Sequence, residues 1–245
     1  MSPIYVPGKV TLANDYVPVD PDFSNVSLLL HGDGADGSTT IVDSSPNPKT
    51  VTAVGNAQIS TAQNKFGGAS IAFDGTGDYL TIPANSAFAF GTSDFTIEAF
   101  VYINQTTLTT GSYDAVIAEL RSTEGTATGF VFNLDVFSDG FSLKFYTDGG
   151  GNTATARANY GEWHHIAAVR SGSTVTLFSG GTNVKSITKT NNFSDTPDLR
   201  IGASGLYPKS SISGYIDDLR ITKGVARYTS NFTPPTAPFP DIESR

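Results

Sequence analysis

Phe95-Thr96-Ile97-Glu98-Ala99-Phe100-Val101-Tyr102-Ile103 alternates along its length with a period of two. In an extended chain successive side chains point to opposite faces, so Phe95, Ile97, Ala99, Val101 and Ile103 share one apolar face. Thr96, Glu98 and Tyr102 share the other with Phe100, whose ring breaks the polar alternation and predicts a central strand covered partly on both sides. Outward from this segment, similar short runs recur at 26–31, 69–74, 78–82, 113–120, 130–136 and 141–147. Further ones follow at 163–170, 175–179, 184–188, 199–202 and 215–222. Clusters of Gly, Asn, Asp and Ser separate them, and many short strands divided by turn signals predict an all-β sandwich or barrel. Helical signal is confined to 224–228, enough for a single turn, and Pro234, Pro235, Pro238 and Pro240 exclude a helix beyond it.

Composition agrees with one large β domain. The chain has 245 residues, 38% of them hydrophobic, 11% aromatic and only 16% charged. A chain of this length buries roughly 70% or more of the surface it exposes when unfolded, so it folds without staples. It has no cysteine, which excludes thiol chemistry, zinc–thiolate sites and disulfide scaffolds. The formal net charge is −8 with Lys and Arg scattered, so no nucleic-acid footprint is present. No apolar run approaches the roughly 18 residues of a membrane span, so no membrane insertion is expected. The opening residues Met1–Lys9 show neither a basic n-region nor an apolar h-region, and the expectation is a chain made and kept in a cytosol.

Residues 1–23 read differently from the rest. Pro3, Pro7, Pro18 and Pro21 bias this stretch to extended geometry and predict an N-terminal arm. Ile4, Tyr5, Val6, Val10, Leu12, Tyr16 and Val17 suit docking on a neighbouring subunit, and a loose terminus is the other reading. Residues 24–245 form the sandwich, closed by the proline-rich strap.

Several segments resemble chemistry. Gly32-Asp33-Gly34-Ala35-Asp36-Gly37 has G-x-G-x-x-G spacing, but a β-like run follows it where a dinucleotide fingerprint needs a helix. Asp33 and Asp36, with carbonyls freed by the glycines, are hard oxygen donors of the kind calcium takes; an ordinary Asp-Gly turn is the competing reading. Asp217 and Asp218 sit within a strand and point to opposite faces, so at most one faces inward and needs a partner or a metal. If Ile216 and Leu219 both belong to the core, regular alternation fails there and a bulge is implied. No same-face pair of carboxylates has the i, i+2 spacing of a retaining glycosidase, whose two groups stand about 5 Å apart. No G-x-S-x-G occurs, and His164 and His165 face opposite ways as strand neighbours. Tyr102, Tyr113, Phe137, Tyr146, Tyr160 and Tyr207 offer aromatic faces for sugar rings or partners, or else cover the second face of a sheet.

Three blocks carry a resemblance. They are Gly68–Pro83 with Asp94–Val101, Trp163–Arg170 with Val175–Phe178, and Leu199–Gly202 with Gly214–Ile221. In order and spacing over residues 26–240 the chain resembles the concanavalin A-like, laminin G-type domain family. That resemblance implies a two-sheet antiparallel jelly-roll sandwich, and a structural calcium held near the meeting of first and last strands by Asp33, Asp36 and Asp217. The family's glycosidases carry a Glu-x-Asp-x-x-Glu strand that this chain lacks, so a non-enzymatic protein is expected. Leu29–Gly34, Thr222–Tyr228, Asn231–Pro235 and Pro238-Phe239 are similar to the variant common in bacteriophage structural proteins.

The expectation that follows is a virion structural or adhesion protein, a capsid decoration or tail-associated part assembled in the host cytoplasm in multiple copies per particle. Residues 1–23 would dock on other virion proteins. The alternative is a carbohydrate-binding module of a bacterial surface or secreted protein, using Tyr102 and Tyr146 on glycans such as those of a host surface.

Overall fold

The computed structural model describes residues 19–104, 114–147, 150–207 and 210–242. Among these residues it is all-β, apart from one 3-10 turn at Phe23–Asn25. The strands are β1 (Val26–Leu30), β2 (Thr40–Ile41), β3 (Val51–Val54), β4 (Gln58–Ser60), β5 (Ser70–Asp74), β6 (Tyr79–Ile82), β7 (Phe95–Ile103) and β8 (Asp114–Leu120). They continue as β9 (Phe130–Phe137), β10 (Gly140–Thr147), β11 (Gly150–Thr153), β12 (Trp163–Ser171), β13 (Thr174–Ser179), β14 (Thr182–Thr188), β15 (Leu199–Ile201) and β16 (Ser213–Lys223).

Two antiparallel sheets result. The first runs β14-β13-β12-β7-β16-β5-β4, with β1 pairing the second half of β16; the second runs β11-β10-β9-β8-β15-β6-β3-β2. The segment predicted as a central strand is one: β7 lies between β12 and β16 and is buried at every position but Tyr102. Its inward residues meet Phe132, Leu134 and Leu143 of the facing sheet in one continuous core. At one end of that core Phe90, Phe95, Phe130 and Phe145 stack with ring centroids 4.5 to 6.2 Å apart, and Phe193 meets them edge-on. Fully burying one such side chain stabilises by roughly 1.5–3 kcal/mol.

The outer face of the first sheet is also covered, by the C-terminal segment. Phe239 packs with Phe100, Val26 and Leu29, while Tyr228 and Phe232 close over Ala167, Val169 and Phe178. Beneath them lies a buried polar net. Arg220 Nε and Nη2 donate to Glu98 Oε1 at 3.0 and 2.8 Å, and Tyr228 Oη donates to Glu98 Oε2 at 2.8 Å. Asp20 accepts from Arg220 and from both terminal nitrogens of Arg227. Asp20, inside the stretch predicted as an N-terminal arm, is buried in this net. The residues predicted to dock the arm, Ile4, Tyr5, Val6, Leu12 and Tyr16, lie outside the described residues.

Two expectations are corrected. Residues 224–228 form bends rather than a helical turn, because their side chains are drawn down onto the sheet. The strands β3, β4 and β11 were not anticipated, and β2 falls within the β-like run that follows Gly37.

Candidate functional site

Most of the outer face of the first sheet is spoken for; the second sheet presents an open one. In β9, Phe130, Phe132 and Leu134 point into the core, which sends Val131, Asn133 and Asp135 outward. In β10 the same alternation sends Lys144 and Tyr146 outward. A register shift between Val116 and Ala118 in β8 puts both Ile117 and Ala118 in the core and turns Glu119 to the outer side. Together with the loop through Ser204 and Tyr207 these strands enclose a cavity of about 330 Å³. Its lining includes Asp114, Arg121, Glu124, Asn133, Tyr146 and Tyr207.

The geometry is ordered by charge. The Arg121 guanidinium sits 5.3 Å from the Tyr146 ring centre and 5.6 Å from that of Tyr207, while its Nε donates to Glu119 Oε1 at 3.1 Å. Lys144 Nζ donates to Asp114 Oδ1 at 3.2 Å and to Asp135 Oδ1 at 3.0 Å. Burial and a hydrogen bond shared with Asp135 push the Asp114 carboxyl up to about 6 against the pull of Lys144. Burial also pushes Asp135 upward, but bonds from Asp114, Thr153 and Lys144 outweigh it and hold that carboxyl low. Ser204 Oγ accepts from the backbone N–H groups of Leu206 and Tyr207 and so fixes the loop over the cavity. Asn133 is 2% exposed, and its Oδ1 has no hydrogen-bond partner.

The predicted site residues divide. Tyr146 and Tyr207 reach the cavity. Tyr102 does not: it lies on the first sheet, 5.7 Å from Trp163 and 5.9 Å from Tyr215, so Tyr102 and Tyr146 cannot hold one ligand together. Their strands belong to different sheets, which alternation within each strand cannot reveal. Phe137 lies 4.0 Å under Arg157, and Tyr160 Oη donates to the Phe137 carbonyl; Tyr113 lies outside the described residues. Sequence reasoning missed Asp114, Arg121, Glu124 and Asn133. Asn133 was the findable one, a single amide inside the apolar run Phe130–Leu134.

The three aspartates predicted to hold calcium do not assemble. Asp217 Oδ2 accepts from the N–H groups of Lys65 and Phe66 at 2.7 and 3.0 Å, and Asp33 is near enough to raise its carboxyl electrostatically. Asp36 Oδ1 instead accepts from the Thr61 N–H at 2.9 Å. Among the described residues no group of three His, Asp or Glu side chains is placed to hold a metal ion. The buried Asp217 Oδ1 has no partner, and burial first of all pushes that carboxyl up to about 7. His164 and His165 also separate: His165 Nε2 faces Glu98 Oε2 at 3.2 Å, and His164 faces the Asn159 carbonyl.

Comparison with known proteins finds similar folds. Domain 4 of a GH43 extracellular arabinanase from Geobacillus stearothermophilus, solved with arabinotriose, superposes with a TM-score of 0.58 at 17% identity, over 82% of this chain and 93% of that one. Botulinum neurotoxin type C, which depends on two ganglioside molecules to get into cells, gives 0.58 at 11% identity over 83% of this chain. Trypanosoma rangeli sialidase gives 0.57 at 16% identity over 90% of this chain. The chain spans 49% of the toxin chain and 34% of the sialidase, and these likenesses are of fold. No curated protein sequence matches it. The family model described as the concanavalin A-like lectin/glucanases superfamily matches residues 74–227. That span runs from the end of β5 through β16 and carries both sheets, and the chain belongs to that superfamily.

Proposed function

We propose that this protein is a non-catalytic carbohydrate-binding module whose site is the cavity on the outer face of the second sheet. The observation that carries the reading is Asn133, a buried amide in the lining of a cavity flanked by Tyr146 and Tyr207, whose Oδ1 has no hydrogen-bond partner. A buried acceptor without a partner costs about 1–3 kcal/mol, and a sugar hydroxyl placed there removes that cost. Cavities of this size, walled by aromatic rings and a few convergent polar groups, are the usual form of small-ligand sites. The one close carboxyl pair in the cavity wall, Asp114 and Asp135, shares a hydrogen bond and is clamped by Lys144. That contact is far shorter than the roughly 5 Å a retaining glycosidase needs, which supports binding over hydrolysis.

The fold neighbours solved with or dependent on glycans support the same reading. Residues 1–23 would tether the module to a larger assembly, a virion being the kind suggested by the bacteriophage-like segments, where many copies add avidity to a weak site. A glycan array followed by titration calorimetry tests the reading. Binding should appear and fall by tenfold or more, about 1.4 kcal/mol, in Tyr146→Ala. An array that stays blank overturns it.

A further inference from the structure

The cations of the cavity wall are already committed. Arg121 is held by Glu119 and faced by two tyrosine rings, and Lys144 is bridged to Asp114 and Asp135. The lining holds two carboxylates, Asp114 and Glu124, with Glu119 and Asp135 beside it, against Arg121, Lys144 and the outward Arg200, the β15 partner of Glu119. Of the four buried side-chain atoms without a partner among the described residues, Asn133 Oδ1 is the one whose residue lines the cavity, and it is an acceptor. Glu124 is exposed at the rim, hydrogen-bonded to the Tyr207 hydroxyl.

A negatively charged sugar would therefore bring its carboxylate toward surplus negative charge. Its acceptors would meet acceptors, and like-charge contacts in a partly desolvated site count strongly against a ligand. A ligand amine reverses each term: it donates to the unpartnered Asn133 oxygen and offsets the surplus charge. We infer that the cavity selects saccharides by charge, taking an amine-bearing sugar unit over its N-acetylated counterpart and both over sialylated or uronate sugars. This rests on the carbohydrate-binding reading and specifies its ligand class.

Titration calorimetry of the full chain near neutral pH tests it, using glucosamine oligomers, N-acetylglucosamine oligomers of equal length and an oligogalacturonate. The amine-bearing oligomer should bind about tenfold more tightly than the N-acetylated one. The gap should narrow in high salt, which screens charge. Glu124→Gln, at an exposed position where folding is safe, should bring the two affinities closer, and Tyr146→Ala should weaken both. Oligogalacturonate binding as tightly as either overturns the inference and leaves the carbohydrate reading standing. Amine binding untouched by both substitutions also overturns it, since attraction would then come from the net charge elsewhere. Silence from all three sugars overturns the reading and the inference together.

Discussion

Glu98 is the residue on which the outer side of the first sheet turns. It is fully buried, and burial alone would raise its carboxyl; Arg220 chiefly, with His165, holds it down at about 2 instead of its ordinary 4.5. A carboxylate whose folded-state pKa lies below its unfolded value contributes stability that is fully present above 4.5 and lost as pH falls toward about 2. Glu98→Gln should cost about 3 kcal/mol at neutral pH by leaving Arg220 short of a charge partner. It should also flatten the decline of stability between those two values. Urea midpoints measured across that acid range check both, and an unchanged slope would show that other carboxylates set the acid limb. The alternation in β7 made the outward direction of Glu98 legible; its partners were not. Arg220 comes from β16 and Tyr228 from the covering segment, both more than 120 residues away. Asp114 and Arg121 were hidden for the same reason: they join Asn133, Tyr146 and Tyr207 only through strand order.

At the scale of the element, β16 shows what a sequence pattern can and cannot say. Ile216 and Leu219 are both fully buried, so the alternation breaks between them, and the pairing with β7 slips between Asp217 and Arg220. That is the bulge the pattern implied. It holds Asp218 at a φ of +47°, the one non-glycine residue at positive φ among the described residues. The Asp218 side chain repays that conformation: Oδ2 accepts from the Phe239 N–H at 2.7 Å, and Oδ1 meets His31 Nδ1 at 2.5 Å. The bulge in β16 thereby anchors both the end of β1 and the covering segment. Asp218→Ala should lose about 1–3 kcal/mol, since it strands the Phe239 N–H and leaves a Cβ in the left-handed region. Asp218→Asn, which keeps an acceptor and tolerates that region, should lose clearly less. Equal losses in chemical denaturation would show that the His31 ion pair, not the backbone bond, holds the segment. The long strands were legible because their periodicity extends over five or more residues. Among the short strands, β6 and β15 were legible from the alternating pairs Leu80 with Ile82 and Leu199 with Ile201, whereas β3 and β4 bury no such pair and β11 begins with two glycines.

For the molecule as a whole, the two sheets have unlike outer faces, and that difference divides stability from binding. The first sheet's is largely sealed by residues 225–239 over Phe100, His165 and Phe178, with Phe239 only 3% exposed and 3.9 Å from the Arg220 guanidinium. The second sheet's carries the cavity, with charged and aromatic side chains that the core does not need. A substitution should therefore register in one assay or the other. Phe239→Ala removes a buried ring and uncovers Glu98 and Arg220, at a cost of about 3–5 kcal/mol. In a chain of this size that lowers Tm by roughly 6 °C or more. The cavity lies across the sandwich from it, so sugar affinity measured well below the new Tm should be unchanged. Tyr146→Ala should do the reverse, abolishing most binding while its partly exposed ring leaves stability within about 1 kcal/mol. Thermal melts and sugar titrations on both variants decide the matter. If Phe239→Ala also lost affinity at a temperature where it is folded, the two faces would be coupled through the core. The covering segment would then be part of the binding apparatus rather than its support.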